Sequence, residues 1–346
     1  MGRALGEDVR ALALTGPRAA MACRTASAAV LALIAALLLQ LDNPWWAALT
    51  AFVIVDHDAN ATLAKSIDRV LGTLAGAALG YLMAAVVADH ATFSVLVCGS
   101  VAFALYAQER MQHGYAALLG GVTVVLVLFG SLITPTRSLD LAVDRALEIC
   151  LGVVVACVVD YACAGDLADG PSAAPKPGVW ALPVDLDLLA VALTGGIAVA
   201  AIPFIWESLQ LPGLGQTPIT AFVVMTAVRG DAGLKSVNRA VGCLLGGALG
   251  LALLPLVGDL TGAWLVAVFA GLFVCAHVRH GGSDGWYAGQ QAGVALILAM
   301  IQGSGPSTSL IPALDRLTGI VGGVVVVGVA QRTLAPVLRR LLARLA

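Results

Sequence analysis

Residues 50–80 read TAFVIVDHDANATLAKSIDRVLGTLAGAALG, and residues 220–250 read TAFVVMTAVRGDAGLKSVNRAVGCLLGGALG. At a constant shift of 170, thirteen of the thirty-one positions are identical, including the TAFV run, the Lys-Ser pair, the Arg and three glycines. Roughly 3 matches would arise by chance if each residue type filled near a tenth of the chain. The likeness resumes downstream. Pro135, Ser138, Leu139, Asp144, Arg145, Ile149 and Gly152 align with Pro306, Ser309, Leu310, Asp315, Arg316, Ile320 and Gly323. The chain is an internal repeat, and each copy has to be read as one folding pattern used twice.

The composition says where that pattern folds. Of 346 residues, 60% are hydrophobic and 12% charged, against about 45–50% and about 25% in soluble domains. Apolar runs such as Ala26–Leu39, Leu118–Phe129 and Val321–Ala330 recur along the whole chain. About 20 apolar residues cross the hydrocarbon core as one helix. Breaks at charged, Gly and Pro clusters predict twelve segments, near 22–41, 45–55, 67–88, 92–107, 114–133 and 139–162, then 187–206, 216–228, 236–257, 261–277, 286–302 and 310–331. The second and eighth are short for a full crossing. The expected fold is an all-α integral membrane protein of about twelve transmembrane helices. Six crossings per repeat is an even number, so the two repeats run parallel, with a pseudo-twofold axis along the membrane normal and a pathway between the halves.

Basic residues orient the bundle. With the N-terminus cytoplasmic and twelve crossings, sixteen of the nineteen Lys and Arg fall inside, from Arg3, Arg10, Arg18 and Arg24 to Arg332, Arg339, Arg340 and Arg344. Only Arg137, Arg145 and Arg316 do not. The chain thus divides into a cytoplasmic segment 1–18, a first membrane repeat 19–163, a short cytoplasmic linker 164–184 rich in Pro, Gly, Ala and Asp, a second repeat 185–334 and a basic cytoplasmic tail 335–346. The first apolar run is too long for a signal peptide and lacks a small-residue cleavage site, so it is read as a retained helix. Residues 3–14 are expected to lie as an amphipathic helix on the membrane surface.

Several chemistries are excluded. The seven cysteines form no C-x-x-C pair and sit in or beside apolar runs, so they are read as packing residues. His277 and His280 flank Arg279 without a third ligand nearby, and no metal or cofactor is expected. Gly230–Ser236 has the wrong spacing for a phosphate loop, and neither H-E-x-x-H nor G-x-S-x-G occurs, so the chain is not read as an enzyme. Near-neutral charge, with 19 basic against 21 acidic residues, and the lack of a basic, aromatic-studded segment argue against nucleic acid.

The candidate residues follow from the repeat. Lys65 and Arg69, with Lys235 and Arg239, lie four apart on one helix face. They serve either as positive-inside anchors or as paired basic clusters drawing an organic anion to a pore mouth. Gly72, Gly76 and Gly80, with Gly242, Gly246 and Gly250, are spaced for close helix packing in lipid. Thr50 and Thr220 open the repeated TAFV run in the two short segments, the positions where transporter repeats place a binding site. Asp144 and Asp315 precede Arg145 and Arg316 near the outer ends of the sixth and twelfth segments. Glu148 lies one turn deeper, where the second repeat has Gly319. Ionisable groups at that depth either relay protons or fix helices as ion pairs. His57, between Asp56 and Asp58, is a further candidate for proton coupling, set against a solvated loop histidine.

The stretch Asn43-Pro44-Trp45-Trp46-Ala47-Ala48-Leu49-Thr50, followed by Thr62-Leu63-x-Lys65-x-x-x-Arg69-x-x-Gly72-Thr73-x-x-Gly76, resembles the fusaric acid resistance family. That family includes bacterial aromatic acid exporters, and the membrane part of plant aluminium-activated malate channels is similar. The resemblance covers roughly 20–162 and 187–331. It implies efflux of small organic acids, often aromatic carboxylates, across a bacterial inner membrane, with a periplasmic adaptor as a partner. It also maps the family's third-span basic residues onto Lys65, Arg69, Lys235 and Arg239. Two departures stand out: many members carry a sizeable soluble region where this chain has a linker of about twenty residues, and the second half offers Leu214-Gly215-Gln216 in place of Pro-Trp-Trp.

The expectation is therefore an inner-membrane efflux transporter for small organic anions, proton-coupled, working in the lipid bilayer alone or as a homo-oligomer. An organic-anion channel and a non-transporting membrane scaffold are the alternatives.

Overall fold

The computed structural model describes residues 12–163, 184–211, 214–215, 217–226, 232–257, 260–282, 285–303, 305–307 and 311–345. The expected linker, apart from Val184, and residues 3–11 of the expected surface helix lie outside these, and residues 12–14 are not helical. Twelve α-helices are described. In the first half they are α1 (Pro17–Leu38), α2 (Trp45–Ile54), α3 (Ala59–Val86), α4 (His90–Arg110), α5 (Gly114–Ile133) and α6 (Ser138–Cys163). In the second half they are α7 (Leu186–Leu209), α8 (Thr217–Met225), α9 (Ala232–Val257), α10 (Thr261–Arg279), α11 (Trp286–Met300) and α12 (Ile311–Leu345). Nine of them, all but α2, α8 and α11, are long and apolar enough to cross a membrane. The protein is a multi-pass, all-α membrane protein.

Helix ends carry physical signatures that repeat. Pro17 opens α1, where its missing N–H costs nothing. Asp89 and Asp185 cap α4 and α7, their carboxylates accepting from Thr92 N–H at 2.7 Å and Leu188 N–H at 2.9 Å. After α1 and α7 the chain reverses through Gln40 and Gln210, both left-handed with φ of 54° and 50°. Leu41 N–H then reaches back to Ala36 C=O and Leu211 N–H to Trp206 C=O, the six-to-one bond of a Schellman end. Such a backbone is uncommon for a non-glycine residue. Finding it at equivalent glutamines ties the two halves to one design.

Some boundaries differ from the sequence expectation. α3 starts at Ala59, eight residues earlier than residue 67, because Thr62-Leu63-Ala64-Lys65-Ser66 still forms helix despite its polarity. α11 stops at Met300. Gly303, at φ 54°, turns the chain so that Ile301–Gln302 pairs antiparallel with Gly305–Pro306. α12 runs on through Pro336 to Leu345, so residues 335–345 continue the helix instead of leaving it.

The described helices fall into two compact units, and each draws on both halves of the sequence. One holds α1 and α2 with α10 and α11, and the other α7 and α8 with α4 and α5; α3, α6, α9 and α12 contribute to both. Within the first unit α1 packs on α2 and α10, and α11 on α10 and α2. Within the second, α7 packs on α8 and α4, and α5 on α4 and α8. The pairing is the same in both, with the opening helices of one half against the fourth and fifth of the other.

Small residues carry the packing of α1. α1 buries Ala22, Ala26, Ala29 and Ala36 completely, while Val321, Val325 and Val329 of α12 and Leu71 and Leu82 of α3 are exposed. Lipid tails are as apolar as Leu, so burying large side chains gains little there and close backbone approach gains contact. Aromatic anchors fill what remains. Phe52 of α2 lies against Gly293 of α11, and its counterpart Phe222 of α8 lies against Gly121 of α5. Trp264 is buried and satisfies its indole N–H on Met300 C=O at 3.0 Å.

Candidate functional site

The glycines come first because they position the arginines. Gly72 and Gly76 of α3 face Ala116 and Gly120 of α5, where an added Cβ would collide with backbone carbonyls. Gly242 and Gly246 of α9 stand in the same way against Ala288 and Ala292 of α11. Gly80 meets Val124 and Val127, and Gly250 meets Leu296 and Ala299. Arg69 precedes this stripe by one turn on the same face, so its guanidinium enters the α3–α5 seam. It is 4% exposed and donates to the Tyr115 hydroxyl at 3.1 Å. Arg239, 6% exposed, enters the α9–α11 seam, where its Nη1 donates to Gln291 Oε1 at 3.1 Å and approaches the Tyr287 hydroxyl at 3.5 Å. Each seam thus buries a permanently charged, planar donor beside a phenol.

Lys65 goes elsewhere. Its ammonium, at the start of α3, pairs with the Asp56 carboxylate in the turn after α2. The side chain of Lys235 is not among those described. Burial alone would push the Asp56 carboxyl up; the Lys65 hydrogen bond and charge, the His57 N–H and the Arg279 charge hold it below its usual range.

The short α2 is fixed at both ends. At its start, Glu148 of α6 is buried and accepts from Asn43 N–H at 2.8 Å. At its end, the Arg279 guanidinium of α10 donates to the carbonyls of Phe52, Val53 and Val55, the last two at 2.8 Å, and stacks 5.5 Å from the Phe52 ring. A carboxylate at the N-terminus and a cation at the C-terminus both oppose the helix dipole favourably. Ten residues rise only about 15 Å, half the hydrocarbon thickness, so these charges hold the ends of a half-length helix. Thr50 and Thr220, both buried, sit against Gly152 of α6 and Gly323 of α12.

A charged cluster surrounds the α2–α3 turn. Arg24 of α1 donates to the Asp56 carbonyl and lies 2.7 Å from Asp160 of α6. Thr25 hydrogen-bonds His280 at 3.0 Å, and the exposed His57 ring stands edge-on to His280 at 4.9 Å. Burial, then the positive charge of Arg279, pushes the His280 imidazole down to about 3. His57 lies in this turn, and Lys65 of α3 reaches it through Asp56. Asp144 and Asp315 are half-buried beside the buried Arg145 and Arg316.

One family model, the fusaric acid resistance protein family, matches residues 18–166, and a second, fusaric acid resistance protein-like, matches 197–330. The chain belongs to the fusaric acid resistance protein family. Among curated relatives, the p-hydroxybenzoic acid efflux pump subunit AaeB of Edwardsiella ictaluri is 30% identical over 155 residues, covering 41% of this chain and 24% of the relative. The subunit of that name from Musicola paradisiaca is 28% identical over 157 residues, covering 42% and 24%. The matched stretch is about a quarter of these relatives' length. No solved structure matches the chain.

For this member of the fusaric acid resistance protein family, the sequence singled out Arg69, Arg239 and Glu148, but not Tyr115, Tyr287 and Gln291, which the two arginines meet, nor the Arg24–Asp160 pair or Arg279. A signal was there for the tyrosines. They fall 172 apart, close to the repeat shift.

Proposed function

We propose that this chain exports small aromatic carboxylates across a bacterial inner membrane, coupled to protons, from two parallel six-helix repeats with both termini in the cytoplasm. The observation that carries the reading is the twinned arginine–tyrosine pair, Arg69 with Tyr115 and Arg239 with Tyr287. A guanidinium matches the geometry of a carboxylate and binds it through two parallel hydrogen bonds. In a dry seam such a bond is stronger than in water, and the neighbouring phenol suits an aromatic ring. Membership of the family and the substrate in the relatives' name, p-hydroxybenzoic acid, support the same class of cargo. Lys65 and Lys235 attract the anion, and Thr50 and Thr220 line the short helices that approach its path. A periplasmic adaptor and self-association complete the proposed partners.

The test is transport of radiolabelled 4-hydroxybenzoate into inside-out membrane vesicles. Wild type accumulates the label, and Arg69→Gln combined with Arg239→Gln loses at least tenfold of the rate. Equal uptake with and without the protein would remove the export reading. Uptake unchanged in the double variant would remove the arginines from it.

A further inference from the structure

We propose that Asp160 of α6 is the carboxylate that binds and releases the coupling proton, with Arg24 of α1 as its counter-ion. This rests on the export reading above and assigns its proton site. Asp160 is 2% exposed, three residues before the described end of a helix long and apolar enough to span a membrane. An ionised carboxylate at such a place is kept charged by its partner, and intramembrane groups of this kind mark proton and ion paths.

The surroundings make the pair a junction. Arg24 Nη2 lies 2.7 Å from Asp160 Oδ1, and the same guanidinium nitrogen donates to the Asp56 carbonyl. Asp56 N–H donates to Thr62 at 3.0 Å, and its carboxylate holds Lys65. Around Asp160 stand Arg24 from α1, Thr62 from α3, and Asp56 and Asp58 from the turn; Arg279 of α10 acts on Asp56, and His280, just past α10, interacts with Asp56 and Arg24. One arginine therefore ties α6 to the turn that joins α2 and α3. When a proton binds Asp160 the carboxylate becomes a neutral acid, the ion pair opens, and Arg24 keeps only its anchor on the Asp56 carbonyl. When the proton leaves, the carboxylate recovers its charge and the pair closes. Nothing else changes hands.

Two comparisons select Asp160. Glu148, the other buried carboxylate of α6, is committed to the N-terminal end of α2 through Asn43. The repeat shifts put Gln331 at the place of Asp160 and Thr226 at that of Asp56. Neither ionises near neutral pH, so the second repeat carries no counterpart of this pair at those positions.

The test uses purified protein in liposomes with radiolabelled 4-hydroxybenzoate as probe, measuring accumulation under an imposed pH gradient and exchange without one. Asp160→Asn is expected to keep exchange within about threefold of wild type and to lose at least tenfold of gradient-driven accumulation, while Asp160→Glu retains gradient response. Accumulation by Asp160→Asn equal to wild type would overturn the proposal. Wild type that exchanges label yet ignores the gradient would also overturn it and leave aromatic-anion transport standing; wild type that does neither removes the export reading itself. Infrared titration with isotope-labelled aspartate decides the matter if Asp160→Asn does not fold. A carboxyl band that moves in Asp160→Glu supports the assignment, and one that stays unchanged rejects it.

Discussion

Replacing Gly246 with alanine, and separately its neighbour Gly247, puts the same methyl group on α9 one residue apart. At Gly246 the new carbon would stand 2.5 Å from the Cα and carbonyl carbon of Ala292 and closer still to its oxygen. Carbon atoms settle at roughly 3.5–4.0 Å, so α9 and α11 would have to part by about 1 Å. The obstacle is backbone, which has no rotamer to yield. Overpacking of this kind costs roughly 1–3 kcal/mol. At Gly247 nothing lies within 4 Å, and alanine in a helix is favoured over glycine by roughly 0.5–1 kcal/mol. The propensity gain is common to both positions and cancels, so the two variants differ by about 1–3 kcal/mol, with Gly246→Ala the less stable. Unfolding in mixed micelles, followed by tryptophan fluorescence as denaturing detergent is titrated in, reads both. Gly246→Ala should unfold earlier than wild type and Gly247→Ala no earlier. If Gly246→Ala proved as stable as Gly247→Ala, the seam between α9 and α11 would not be the close contact described.

Arg279→Gln removes the cation from three α2 carbonyls, and charge-assisted bonds contribute about 1.5–3 kcal/mol each. The unfolding midpoint should fall by the equivalent of at least ~2 kcal/mol, and Arg279→Lys should restore less than half, because a single ammonium cannot span three carbonyls; full rescue by lysine would contradict the clamp. His280 is depressed to about 3 in the folded protein against an ordinary imidazole near 6.5. Between those values the unfolded chain holds the extra proton, so stability is full above the upper value and falls as pH drops, by about 1.4 kcal/mol per pH unit at most. His280→Gln should flatten that slope between pH 6 and pH 4 in thermal melts, and an unchanged slope would dismiss the histidine as its source.

What the sequence disclosed, and what it withheld, divides by range. Glycines four apart, the repeated TAFV run and the shortness of the second and eighth segments were legible because each is a local pattern. The exchange of partners between halves was not: α1 and α10 are apolar over most of their length, and nothing in either says which helix it meets. Arg279 read as one more cytoplasmic cation, since the carbonyls it holds are more than two hundred residues earlier. Glu148 stayed open between a relay and a helix-fixing charge for a related reason. Its partner is a backbone N–H, which any residue supplies and no sequence displays. Asp160 and Arg24 could have been noticed as charges within apolar runs, but only the fold brings them within 2.7 Å.

Equilibrium dialysis of radiolabelled 4-hydroxybenzoate against the purified protein tests the central idea most directly, that buried arginines hold an aromatic carboxylate. Wild type should bind the acid, the neutral amide of the same ring should not compete, and Arg69→Lys with Arg239→Lys should weaken binding at least tenfold. Binding that the amide displaces equally well, or that survives loss of both guanidinium groups, would contradict it.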